Sequence, residues 1–261
     1  MAVMESTLQR MELLLGNNQL KELKKSCVVL IGIGGVGSYC AEALARSGIG
    51  KIILVDHDVI SPSNLNRQLH ATYETINQEK TLAMKERILS FRDDCEVVTY
   101  SQFYAAALNE SIFADQIDFA VDAIDTVSSK LDFITACLER GVPFISSLGM
   151  ANRLNPTALR IGELMQTSYD PLAKVMRSQV RKRGICRPIP VVYSIEQPRK
   201  QTKVINEQGK TRKEQMPPAS SPFVPAAAGL ACASYAIRSI LERKEAKTDF
   251  SHQHGFENSF Q

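Results

Sequence analysis

Residues Gly32-Ile33-Gly34-Gly35-Val36-Gly37 place glycines at the first, third and sixth positions of a G-x-G-x-x-G turn. Glycine at these positions permits a tight turn and lets backbone N–H groups approach a phosphate. A helix opening near Gly37 adds the positive end of its dipole. Asp56 follows nineteen residues after Gly37, at the end of an apolar run, where a carboxylate can bind ribose hydroxyls. Alone, these two features fit a nicotinamide dinucleotide as well as ATP.

Charged residues further along separate the two nucleotides. Asp58, Asn64, Arg67 and Lys80 follow Asp56, and Asp125 sits past the end of a later strand. A nicotinamide enzyme leaves its pyrophosphate intact and needs no Arg and Lys around it. An enzyme that breaks the α–β phosphate bond of ATP must offset charge on the departing pyrophosphate. That calls for Arg, Lys and a carboxylate-held Mg²⁺. Arg67, Lys80 and Asp125 supply these groups, so the set reads as an adenylation site.

Such loops are brought together by a parallel sheet. Residues 27–31 form an apolar strand, 38–47 a helix closed by Gly48, and 51–55 a second strand, which is a βαβ unit. Helices over 77–91 and 127–140 and strands over 96–101, 117–121 and 143–147 continue the alternation. A further helical stretch over 8–25, with a break at 16–18, precedes them. The expected fold is α/β, with a Rossmann-like, doubly wound and mostly parallel sheet. Beyond residue 150 the pattern changes. Strands over 157–161 and 191–195 flank a basic helix over 170–182, a polar loop spans 197–218, and a long helix covers 226–243. This predicts added antiparallel strands and a basic helical and loop extension. The expected organisation is an adenylation region over 1–165, an extension of the same domain over 166–244 that suits a polyanionic partner and a subunit interface, and a disordered tail over 245–261.

Charge is unevenly spread. Residues 174–213 hold twelve Lys and Arg against Glu196 and Glu207, although the whole chain carries a net charge of only +3. A basic segment on an acidic body suits a polyanionic partner. Lys174, Arg177, Arg181, Lys182, Arg183 and Arg187 are its candidate contacts. None of the six cysteines makes a Cys-x-x-Cys pair, so zinc has no support in the sequence. Free thiols without an apolar leader fit a reducing cytoplasm. The uncharged run over 223–237 is too short to span a membrane and carries Pro225 and Gly229, which points to a buried or subunit-interface helix.

The glycine turn, Asp56-His57-Asp58, Asn64-x-x-Arg67-Gln68, Lys80 and Ala123-Ile124-Asp125 resemble the E1-like activating family. Bacterial members of that family adenylate the C-terminus of ubiquitin-like sulfur carriers. The resemblance implies that Asp56 binds ribose, that Asn64, Arg67 and Lys80 line the phosphates, and that Asp125 holds Mg²⁺. Arg10, in a Gln-Arg-Met-Glu-Leu context, is similar to an arginine that family members extend across a homodimer into the partner's ATP site. The sulfur-carrier activators usually carry two Cys-x-x-Cys pairs, which this chain lacks. Asp170-Pro171, the basic helix, residues 191–196 and Ser221-Pro222 instead resemble the tRNA threonylcarbamoyladenosine dehydratases. That subfamily activates a carboxylate on the modified adenosine at anticodon-loop position 37 and closes it into a ring. A nucleophile already tethered to the substrate reacts by proximity and needs no enzyme thiol. Three alternatives remain open at this point: a sulfur-carrier activator, a non-catalytic adaptor and a dehydrogenase. A monovalent cation, a sulfur-transfer partner, and reactive roles for Cys186 and Cys232 are also left open.

Overall fold

The computed structural model describes residues 6–201 and 218–255, with side chains as far as residue 246. Seven strands form one sheet: β1 (Cys27–Ile31), β2 (Lys51–Val55), β3 (Glu96–Tyr100), β4 (Phe119–Asp122), β5 (Phe144–Ser147), β6 (Leu159–Glu163) and β7 (Pro190–Ser194). Their order is β3-β2-β1-β4-β5-β7-β6. Every pairing is parallel except β6 with β7, where Leu159 opposes Ser194. The chain builds outward from β1 to β3, then crosses back to place β4 on the other side of β1. Loops diverge at such a reversal and open a crevice at the strands' carboxyl ends.

Helices cover both faces. They are α1 (Gln9–Leu15), α2 (Asn17–Lys24), α3 (Gly37–Arg46), α4 (Lys80–Leu89), α5 (Asn109–Ile112), α6 (Val127–Arg140), α7 (Pro171–Lys182) and α8 (Phe223–Gly255). All five residues of β1 are buried, because a central parallel strand is covered on both sides. Side chains alternate between the layers. Val28, Leu30, Ile52 and Leu54 pack with α3, α4 and α8, while Val29, Ile31, Ile53 and Val55 pack with α6 and α7.

The doubly wound α/β expectation holds, and the extension is part of the same sheet through β7. Boundaries moved where local turns intervene. The helix expected over 77–91 begins only at Lys80, because residues 73–75 form a 3-10 turn and Asn77 takes a left-handed φ of 70°. The strand expected over 157–161 begins at Leu159, after a 3-10 turn capped by the Asn155 side chain. The last helix is longer than expected and runs to Gly255, into the stretch read as a tail. Lys244 pairs with Asp118 at 3.3 Å and with Glu22 at 3.8 Å, and Gln19 donates to Glu245, which docks residues 244–245 on α2 and on the approach to β4. Most of the loop expected over 197–218 lies outside the described residues, as do residues 256–261.

Helix α8 is long and apolar enough over Phe223–Ala246 to cross a membrane. Its Val224, Ala228, Cys232, Ala236 and Ile240 are instead buried in the core against α3. A Cβ on Gly229 would lie 2.2 Å from the Val36 carbonyl, so only glycine allows the two helices this approach.

Candidate active site

Two glycines of the turn are dictated by backbone. Gly32 has φ of 90°, and a Cβ there would lie 2.7 Å from the Ala123 carbonyl oxygen. A Cβ on Gly37 would lie 1.8 Å from the Gly32 carbonyl oxygen. Gly34 differs: the nearest atom to its Cβ position is Gln68 Nε2, 4.0 Å away. Its open side faces a cavity of about 550 Å³ at the carboxyl ends of β1, β2 and β4. The Asp56 carboxylate accepts from Ile33 N at 2.6 Å and from Asp58 N at 2.9 Å, so the turn itself orients it.

Gly32, Gly34, Gly35, Asp56, Asp58, Asn64, Arg67, Lys80 and Asp125 all line this one cavity. Gly37 stands behind them at the start of α3. Lys80 opens α4, is almost wholly buried, and bonds Asp58 Oδ2 at 2.6 Å. Asn64 is buried, and its Oδ1 accepts from Ser61 N at 3.0 Å. The Arg67 guanidinium donates to Ser63 O at 2.8 Å and Asn66 Oδ1 at 2.9 Å. Arg10 does not join the group. It is exposed on α1 beside Leu13 and Leu14, each 75% exposed.

Asp125 is exposed on the loop after β4. Among the described residues, only Asp56, His57 and Asp58 bring three ligand-type atoms within 4.8 Å of one another. Asp125 is not in that trio, so a Mg²⁺ on it would draw its other ligands from phosphate and water. Mg²⁺ commonly binds in that way, with one or two carboxylates. The open Gly34 side, the buried Lys80 and this lone carboxylate together suit a magnesium–triphosphate.

Beneath Asp125 lies a feature missed in the sequence. Lys130 of α6 is fully buried and donates to Asp122 Oδ2 at 2.7 Å, Ser146 Oγ at 3.1 Å and Ser147 O at 2.8 Å. Ser146 Oγ donates to the same Asp122 oxygen at 2.7 Å, and Asp122 Oδ1 accepts from Ile124 N at 3.1 Å. This network joins the ends of β4 and β5, whose following loops both line the cavity. The available signal was a lysine on the apolar face of α6, next to Leu131 and Ile134. At the cavity mouth, Phe103 packs edge-on against His57 with ring centroids 5.0 Å apart. Isolated in a loop, Phe103 carried no pattern to reveal it.

Helix α7 brings its first turn to the cavity, where Leu172 is a lining residue. The six basic candidates divide. Lys174, Arg181 and Lys182 are exposed and make no ion pair among the described residues. Arg177 turns onto Thr167, Arg183 pairs with Asp132 at 2.8 Å, and Arg187 donates to Leu138 O at 2.8 Å. Of the two cysteines left open, Cys232 is in the core, where burial pushes its thiol up to about 12, while Cys186 is exposed.

A doubly wound sheet with a glycine turn and a pocket lined by both acidic and basic side chains at its reversal point defines a nucleotide-binding α/β protein. The chain belongs to the ThiF family, whose model matches residues 7–261. It is 42% identical over 245 residues to the tRNA threonylcarbamoyladenosine dehydratase of Bacillus subtilis, covering 91% of this chain and 96% of that one. The solved structure of Escherichia coli tRNA N6-threonylcarbamoyladenosine dehydratase in complex with ATP superposes with a TM-score of 0.82 at 26% identity. That match covers 92% of this chain and 96% of the other. The Escherichia coli sulfur carrier protein ThiS adenylyltransferase is 29% identical over 137 residues, about half of each chain.

Proposed function

We propose that this protein is an ATP-dependent dehydratase that cyclises N6-threonylcarbamoyladenosine at position 37 of tRNA. The observation that carries the reading is the single cavity that gathers the glycine turn, Asp56, Asn64, Arg67, Lys80 and Asp125, with the basic helix α7 against its wall. The near full-length likeness to a dehydratase favours this reading over a sulfur-carrier activator, whose likeness stops at half the chain.

The residues divide the work. Asp56, oriented by Ile33 N, takes the ribose hydroxyls. The glycine turn, Asn64, Arg67 and Lys80 hold the phosphates. Asp125 would hold Mg²⁺, which would supply positive charge against the leaving pyrophosphate. The substrate carboxylate attacks the α-phosphorus, the bond to the β-phosphate oxygen breaks, and pyrophosphate departs. The resulting acyl-adenylate is then attacked from within the same side chain, and AMP leaves. The net change on the nucleoside is the loss of one water. Closure is rapid because both reacting groups belong to one side chain. Neither bond change involves sulfur, so the reaction itself does not consume a sulfur donor.

Lys174, Arg181 and Lys182 are exposed and can contact the tRNA backbone, and such binding weakens as salt rises. Exposed Leu13 and Leu14 beside Arg10 suit a homodimer in which α1 meets a second copy and Arg10 enters its cavity. A tRNA-modifying role suits a cytoplasmic protein. The test is mass spectrometry of nucleosides from threonylcarbamoylated tRNA incubated with the protein and ATP. The expected result is a loss of one water from the modified adenosine, with AMP formed in step. Absence of AMP with this tRNA, together with turnover of a small protein ending in Gly-Gly, overturns the reading.

A further inference from the structure

Arg153 lies outside the adenylation motif and is only 3% exposed. Its guanidinium reaches three segments of chain. Nη1 donates to Gly149 O and to Ala151 O at 3.3 Å, Nη2 to Tyr169 O at 3.1 Å, and Nε to Glu196 O at 3.0 Å. Nη2 also stands 3.7 Å from Asp170 Oδ2. Asp170 is itself buried, and its Oδ1 caps α7 by accepting from Ala173 N at 3.0 Å. The two sides that Arg153 joins are functionally distinct. Gly149, Met150 and Ala151 form a wall of the cavity, and Asp170 begins the basic helix.

Both attachments are held in uncommon backbone. Asn152 and Tyr169, the residues immediately before Arg153 and Asp170, have φ of 60° and 55°. Left-handed non-glycine residues persist where their surroundings over-determine them. The fit is also close, because a Cβ on Gly149 would lie 3.4 Å from Asp170 Oδ1 and 3.7 Å from Leu172 Cβ. A lysine in place of Arg153 retains the charge opposite Asp170. It donates from a single nitrogen and cannot serve three separate segments.

We propose that Arg153 is a positioning residue that locks the cavity wall to the start of α7. The tRNA body held on α7 and the reacting nucleoside held in the cavity are thereby presented in one register. The side chains that hold the nucleotide, Asp56, Arg67 and Lys80, make no direct bond to Arg153 or Asp170. The inference rests on the dehydratase reading above.

The experiment compares the full-length wild type with Arg153→Lys in three measurements: equilibrium ATP affinity, equilibrium affinity for threonylcarbamoylated tRNA, and the single-turnover rate of AMP formation. The expected result is affinities within about twofold of wild type and a rate lower by roughly tenfold to a hundredfold, the size of effect that small misplacement produces. Asp170→Asn retains a side chain able to cap α7 and removes the charge partner. It is expected to show the same split, more weakly, and it carries the test if Arg153→Lys does not fold. An unchanged rate in an active wild-type background overturns the inference alone. So does a parallel loss of both affinities and the rate, which marks a residue that only holds the fold. A wild type that forms no AMP with this tRNA overturns the dehydratase reading and this inference with it.

Discussion

Replacing Lys130 by Met removes one charge from a pair in which both side chains are fully buried. Asp122 would lose the donor at 2.7 Å and retain only Ser146 Oγ and Ile124 N. Breaking a buried pair from one side costs about 3–5 kcal/mol, because the remaining charge has no compensation. For a chain of this size each kcal/mol lowers Tm by about 2–4 °C, so the expected fall is roughly 6–20 °C. Adding Asp122→Asn removes the stranded charge and retains the hydrogen-bonding shape, so the double variant should recover most of the loss. The assay is urea unfolding and thermal melting of the wild type, both single variants and the double. A loss under about 1 kcal/mol for Lys130→Met, or a double variant as weak as the sum of the singles, refutes the reasoning.

The glycine geometry predicts a contrast: Gly37→Ala should fail to yield soluble, cooperatively melting protein, whereas Gly34→Ala should fold and bind ATP at least about tenfold more weakly, which calorimetric titration measures. His70 is buried with neither ring nitrogen bonded, and burial first, then the charges of Lys80 and Arg87, lower its pKa to about 4. Between that value and 6.5 the unfolded chain binds more protons, so stability is whole above pH 6.5. On the order of 3 kcal/mol is then lost as the pH falls to about 4. His70→Leu should flatten this part of the stability–pH curve followed by melting, and an unchanged curve counts against it. Reversing Lys174, Arg181 and Lys182 to Glu should weaken tRNA binding, with ATP affinity unchanged in titrations run alongside. The salt slope should become shallower by about 0.7–0.9 for each phosphate that is no longer neutralised.

The sequence alone determined the parallel half of the sheet and the polar groups at its carboxyl edge. Apolar runs such as 27–31 and 51–55 are too short for helices and too continuous for one-sided strands, so they report central parallel strands directly. The glycine turn, Asp56, Arg67, Lys80 and Asp125 follow those strands, and a reversal point gathers whatever follows its strands. Tertiary structure decided what depends on distant partners. The Lys130–Asp122–Ser146 network and the Arg153 lock join residues on separate elements, and no local period records them. Helix α8 continues past the expected end at 243, where Lys244 and Glu245 meet Glu22 and Gln19 of α2, partners distant in sequence. Packing also sorted the six basic candidates, tying Arg177, Arg183 and Arg187 to the protein and leaving Lys174, Arg181 and Lys182 exposed and without an ion pair among the described residues. A charge on a helix is visible in sequence, but whether it is spent on an internal partner depends on neighbours that only the folded chain supplies.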